Sequence, residues 1–234
     1  MKRIEVCLFR WSVLSQCLVF IVLSCWVQQG MTETCIKLPE PAVRDGTALT
    51  DALAKRRSVR DYSGREISLE QLAQLLWSAQ GINHPSGLRT APSAGALYPL
   101  ELLVVADRVA GLDRGVYRYR VGQHGLELVA GGNIHGRLAK AAMGQPWVSD
   151  SAAVLVITAI YERTTRKYGH RGKRYVHIEV GHAAQNVLLQ AVALGLGAGM
   201  AGAFDDANIA RLLALPANEH ALYLLPVGWP EGAQ

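Results

Sequence analysis

After Cys35 the chain contains no cysteine: Cys7, Cys17, Cys25 and Cys35 are its four, all within the first 35 of 234 residues. A body folded from the rest has no internal disulfide, no thiolate nucleophile and no thiolate metal site. Charge is scarce as well, at 18% of residues, and the cationic excess is local. Arg163, Arg166, Lys167, Arg171, Lys173 and Arg174 follow one another without an acid between them, and without those six the formal charge of +5 would be −1. The general basic surface of a nucleic-acid binder is therefore missing. No serine nucleophile elbow is present either. Core material is not lacking: half the residues are hydrophobic, enough for one domain of about 200 residues and too many for a disordered chain.

Long apolar runs are absent except for Trp11 to Val27, an uncharged stretch of 17 residues preceded by Lys2, Arg3 and Arg10. Its length is at the lower limit for a membrane span, and its flanks resemble a signal peptide. No Ala-x-Ala pattern follows, and Val22-Leu23-Ser24-Cys25 matches a lipoprotein box only weakly. Residues 1–30 are read as a signal peptide or N-terminal anchor, which makes the protein exported or membrane-attached. Translation from Met31 would make it cytoplasmic. Residues 31–46 are expected to be a linker and 47–234 the folded domain.

Thr47 to Arg56 reads as a short helix. Ser68-x-x-Gln71 is a capping box opening a helix to about Ser78, with Leu69, Leu72, Leu75 and Leu76 on one face. Gly81 to Gly95 reads as a loop, Leu100 to Ala106 as a central strand, and Val116 to Val121 as a half-exposed strand. A helix near Ile134 to Ala142 and a buried strand from Ala152 to Ile160 follow. The basic stretch Arg163–Arg174 reads as a solvated loop, or as a lid that recruits an anionic partner. Val176 to Leu194 is the longest helical signal, apolar nearly all round, and so buried at the centre or at a dimer contact. Gly195 to Gly202 is a glycine-rich connection and Ala221 to Val227 a last strand. Strands and helices mix without regular alternation, which predicts an α+β fold.

Two segments carry chemistry. Arg56-Arg57-Ser58-Val59-Arg60 packs three guanidinium groups and a hydroxyl into five residues, donors suited to a phosphate. Pro92-Ser93-Ala94-Gly95-Ala96-Leu97-Tyr98-Pro99 is a loop of small residues whose backbone can approach a flat ligand. Each alone fits a plain alternative: a charge run at a helix end, or a turn entering a strand. Together they suggest a phosphate-bearing planar cofactor, with flavin mononucleotide (FMN) the best candidate. Gly197 to Gly202 fits the dinucleotide pattern GxGxxG but follows a helix and lacks the acidic residue, so a Rossmann site is rejected. His177 and His182 stand about 140° apart on a helix and cannot share a metal. Glu179-x-x-His182 is a single copy of a motif that di-iron bundles use twice. A satisfied core or interface histidine is the better reading.

With Glu179-Val180-Gly181-His182-Ala183-Ala184-Gln185-Asn186 and Gly195-Leu196-Gly197 through Gly202-Ala203-Phe204, the two loops occur in the order of the nitroreductase superfamily, and the chain resembles it over roughly residues 50–230. The Pro-Ser-Ala-Gly-Ala-Leu-Tyr-Pro loop is most similar to that of the SagB/ThcOx-type dehydrogenases. The resemblance implies an α+β fold, a central mixed or antiparallel sheet flanked by helices, and a long buried helix at a homodimer interface that holds two FMN sites. It implies an oxidoreductase that passes a hydride through flavin N5 between NADH or NADPH and a small organic acceptor, or that dehydrogenates a substrate. Arg56 and Ser58, with Arg57 beside them, match the phosphate contacts, and Arg60 the cation near N1. Pro92, Ser93, Ala94, Gly95 and Ala96 match the loop along the ring, and Gly202 and Ala203 the backbone near N5. Two departures stand out. Many nitroreductases carry Asn where Ala96 stands, though SagB-type loops do not. The basic residues that usually follow the final Gly-x-Pro are missing after Gly228-Trp229-Pro230, so phosphate binding is expected to rest on the Arg56 cluster. The alternative reading is a flavin- or nucleotide-binding protein at the membrane, without turnover.

Overall fold

The computed structural model describes residues 35–43 and 46–232, and the expected signal or anchor segment lies outside them. Seven strands form one sheet in the order β1-β4-β3-β2-β5-β7-β6, each antiparallel to its neighbours. They are β1 (Cys35–Lys37), β2 (Leu100–Ala106), β3 (Gly115–Arg120), β4 (Gly125–Gly131), β5 (Ala153–Ala159), β6 (Gly197–Ala198) and β7 (His220–Gly228). The helices are α1 (Leu49–Lys55), α2 (Leu69–Gln80), α3 (His135–Ala141), α4 (Pro146–Asp150), α5 (Glu162–Tyr168), α6 (Arg171–Ala193) and α7 (Asp206–Leu212). This is the expected α+β class.

The apolar runs of β2 and β5 follow from a sheet covered on both faces, since successive side chains point to opposite sides. Leu100, Leu102 and Val104 of β2 and Leu155 and Ile157 of β5 join α2 and α6 in one core. Leu103, Val105, Val154 and Val156 face the other way, against α3, α4 and α7. Truncating a fully buried leucine of either layer to alanine costs roughly 2–5 kcal/mol. The capping box forms as expected: the Ser68 hydroxyl accepts from the Gln71 N–H at 3.2 Å, and the Gln71 amide oxygen accepts from the Ser68 N–H at 2.9 Å.

Several expectations need correction. The stretch expected as a linker contributes β1, an edge strand paired with β4, so one thiol, Cys35, does lie in the sheet. The strand at Val116 is not half-exposed. Tyr117 and Tyr119 are buried in one core and Val116 in the other, and Arg118 is held by buried Glu219 and partly buried Glu101. The basic stretch is helical, not a loop: it forms α5 and the first turn of α6. Arginine and lysine are good helix formers, and the two glycines of the stretch have local duties. Gly169 takes φ +56 to end α5, and a β-carbon on Gly172 would sit 3.0 Å from the Thr165 backbone where the two helices pack. Finally, α6 is not a helix buried all round at the centre of the fold. Val176, Val180, Ala183, Val187 and Leu188 face the core, but Ile178 is 51% exposed and His182 is exposed. His182 is therefore not a core histidine.

Candidate functional site

The expected site residues occupy two lobes. The first begins where α1 ends. Arg57 folds back, donating from Nη1 to the carbonyls of Ala54 at 3.0 Å and Arg56 at 2.8 Å, so its guanidinium serves the last turn of α1. Among the described residues the Arg56 guanidinium and the Ser58 hydroxyl have no hydrogen-bond or ion-pair partner. Ser58 bridges to Ala198 in β6, and the Val59 N–H donates to the Ala198 carbonyl at 3.0 Å. The glycines beside Ala198 are forced by this contact. A β-carbon on Gly197 would sit 2.6 Å from a Val59 methyl, and one on Gly199 would sit 2.7 Å from the Val59 carbonyl and 2.8 Å from the Trp147 ring. The pattern that imitates a dinucleotide fingerprint is thus close packing.

Trp147, in α4, organises the rest of this lobe. The Arg60 guanidinium lies 5.4 Å from its ring centroid, and Gln145, just before α4, reaches the Ala203 carbonyl at 3.4 Å. Arg60, Gly202 and Ala203 thus gather around the start of α4. Gly202 and Ala203 are exposed, and among the described residues neither of their N–H groups donates a hydrogen bond.

The second lobe is the 92–98 loop. Ser93 accepts from the Tyr98 N–H on its hydroxyl at 2.9 Å and from the Ala96 N–H on its carbonyl at 3.0 Å. These bonds draw the chain into left-handed backbone at Gly95 (φ +66), Ala96 (φ +54) and Tyr98 (φ +45). Such a conformation is uncommon for residues with a β-carbon and persists only where the surroundings fix it. They do: the Arg89 guanidinium stacks 4.4 Å from the Tyr98 ring centroid, and Arg163 donates to the Tyr98 carbonyl at 3.0 Å. Arg163 also meets Glu101 at 2.6 Å, and Arg118 links Glu101 to buried Glu219.

Lys167, within the stretch read as a solvated loop or a lid, and Tyr168, which sequence reasoning did not single out, also reach this loop. A β-carbon on Gly95 would lie 2.7 Å from the Tyr168 hydroxyl and 3.0 Å from Lys167 Nζ, so the end of α5 covers the turn. Their signal was present in the basic stretch but could not be placed without α5. Glu179 is 2% exposed, and burial pushes its carboxyl up to about 7, although the Ser93 hydroxyl, Arg89 and the Ala94 N–H pull the other way. Its Oε1 has no hydrogen-bond partner among the described residues.

Within the chain the lobes stay apart. The 92–98 loop lies by Glu179 and the Arg56 segment by β6, just past Ala193. At 1.5 Å of rise per residue, about 20 Å of α6 axis separates those positions.

A family model described as "Nitroreductase family" matches residues 53–229, which include both lobes. The chain is 46% identical over 180 residues to MJ1384 of Methanocaldococcus jannaschii, provisionally named a nitroreductase, covering 77% of this chain and 90% of that one. It is 28% identical over 156 residues to the microcin B17-processing protein McbC of Escherichia coli, covering 64% of this chain and 57% of McbC. Among solved structures, that of Reut_A1228 from Ralstonia eutropha JMP134, also provisionally a nitroreductase, superposes with a TM-score of 0.75 at 27% identity. That superposition covers 87% of this chain and 92% of the other. With the family model spanning six of the seven strands, α6 and both lobes, the chain belongs to the nitroreductase family of oxidoreductases and has SagB-type relatives.

Proposed function

We propose that the chain is an FMN-dependent oxidoreductase that works as a homodimer, with each flavin held between two protomers. The observation that carries this reading is the separation of the lobes. Each has features of a ligand site, yet within one protomer about 20 Å of helix lies between them. A second copy related by a two-fold axis brings the 92–96 loop of one chain to the Arg56 segment of the other. The face that would meet it is apolar. Leu49 and Leu53 of α1 are 64% and 52% exposed, near a cavity of about 280 Å3 lined by Ala52, Trp77, Leu189 and Ala193.

The residues present fit FMN. Arg56 and Ser58 offer donors for a phosphate that have no partner among the described residues. Ala94, Gly95, Ala96, Gly202 and Ala203 offer backbone with no side chain larger than a methyl group, as a flat ring requires. Arg60, exposed and seated on Trp147, is the cation available to offset charge on the reduced ring. FMN, when bound, supplies two-electron transfer between NADH or NADPH and a small organic acceptor.

Dehydrogenation of a substrate is the second reading, and the similarity to McbC, a microcin B17-processing protein, favours it. The test is the visible spectrum of the purified chain. It should be yellow, bleach with NADH or NADPH, and recover on adding menadione or a nitroarene. Colour without bleaching would favour a flavin-binding protein without turnover, and a chain colourless after incubation with excess FMN would refute the reading.

A further inference from the structure

Beside the 92–96 loop stands a cluster that flavin binding does not use. Lys167, Tyr168, Tyr175 and Arg171 form one contiguous row. Lys167 Nζ lies 5.4 Å from the Tyr168 ring centroid, the two phenol rings meet edge-on at 5.2 Å, and Arg171 lies 6.0 Å from the Tyr175 ring. One end of the row covers Gly95. Arg166, Lys173 and Arg174 are exposed around it.

The arrangement is costly as it stands. Arg163 is paired with Glu101, but among the described residues none of the other five cations has an acidic partner. Arg171, Lys173 and Arg174 occupy the first turn of α6, which contains no acid. Cations there oppose the helix dipole, and Arg171 and Arg174, three residues apart, repel each other. The ring contacts of Lys167 and Arg171 offset part of this cost, and a bound anion would offset more. The rings beside the cations give an organic anion an apolar shelf.

We propose that the compound turned over beside the Gly95 turn carries a carboxylate or phosphate group, held by Arg171 at the far end of the Tyr168–Tyr175 pair, along which the rest of the compound lies. This rests on the flavin-site reading and deepens it by naming the substrate class. The rest of the chain has a formal charge near neutral, which favours a small anion over a nucleic acid.

The test compares 4-nitrobenzoate with neutral 4-nitrobenzamide on the full chain. Titration calorimetry comes first, because it needs no turnover. The benzoate should bind about tenfold more tightly than the amide. That advantage should fall at least about fivefold in Arg171→Gln, and also on raising salt from about 25 to 250 mM. Arg137→Gln, a cation of α3, should leave it intact. Turnover with saturating NADH should show the same preference in kcat/KM, and the preference should collapse in Arg171→Gln. If the NADPH-to-NADH preference collapses instead, the phosphate belongs to the nicotinamide donor. If neither ratio moves and the two nitroarenes bind alike, the proposal is overturned. Binding of an RNA oligonucleotide that is lost in the same variants, without benzoate binding, would also overturn it. Failure of the flavin reading is distinguishable, because the protein would then be colourless and the amide would not be reduced.

Discussion

Arg118 and Glu219 meet in a two-pronged ion pair, with Nη1 and Nη2 at 3.0 and 2.9 Å from the two carboxylate oxygens, and Glu219 is almost wholly buried. Thr158 donates to the same carboxylate, and Glu101 joins this pair to Arg163 and so to the Tyr98 carbonyl. The left-handed turn of the second lobe is thus tied through three side chains to the floor of the sheet. Removing one partner of a buried pair strands the other's charge. Arg118→Met should therefore lose about 3–5 kcal/mol of stability, read from urea unfolding, and a variant as stable as the parent would remove the network from the account.

Gly199 and Gly136 should respond in opposite directions to the same change. Gly199→Ala drives a methyl into the Val59 carbonyl and the Trp147 ring. It should cost about 1–3 kcal/mol and weaken FMN binding by displacing the Arg56 segment. Gly136→Ala, at an exposed position of α3, meets nothing within 4 Å and should add up to about 1 kcal/mol. Thermal unfolding of the two variants checks both.

Much of this frame was legible because its signals are local. Ser68 and Gln71 announce their helix by a reciprocal pair of bonds, and Leu100–Ala106 reads as a strand because its run is apolar at every position but Glu101. What was missed depends on partners distant in the chain. β1 is three residues long and is a strand only because β4 lies beside it. α5 hid in a run of cations because glycines at 169 and 172 look like loop residues until the helix crossing is seen. The site residues were legible as two motifs, but their separation along α6 was not, because no local pattern reports which end of a helix a loop will meet. Glu179 was visible as part of a weak metal motif, while its burial beneath Ser93 was not.

Glu179 should make stability depend on pH. Burial raises its carboxyl from an ordinary 4.5 to about 7. Between those values the folded chain keeps a proton that the unfolded chain has released, so stability falls as pH rises through the window and is flat above it. The full loss is at most about 3 kcal/mol. His135, which burial lowers to about 4, acts with the opposite sign between pH 6.5 and 4. The diagnostic quantity is therefore the difference between the parent and Glu179→Gln. It should move by this amount in favour of the variant from pH 4.5 to 7.5, and a constant difference would contradict the assignment.

Gly95→Ala tests the second lobe alone. A β-carbon there meets the Tyr168 hydroxyl at 2.7 Å, on backbone at φ +66 that costs a non-glycine residue about 1–2 kcal/mol. FMN affinity should fall about three- to tenfold, and adding Tyr168→Phe should recover part of the loss. Unchanged affinity in the single variant would place the flavin elsewhere.

The most direct measurement mixes two defective chains. Arg56→Ala/Ser58→Ala removes the first lobe and Gly95→Val blocks the second, so each purified variant should bind little FMN. After subunit exchange, about half the dimers are hybrids with one intact site of two, and flavin absorbance should return to about a quarter of the parent's. Absorbance no higher than the average of the separate variants would mean that the two lobes do not share a flavin across the dimer.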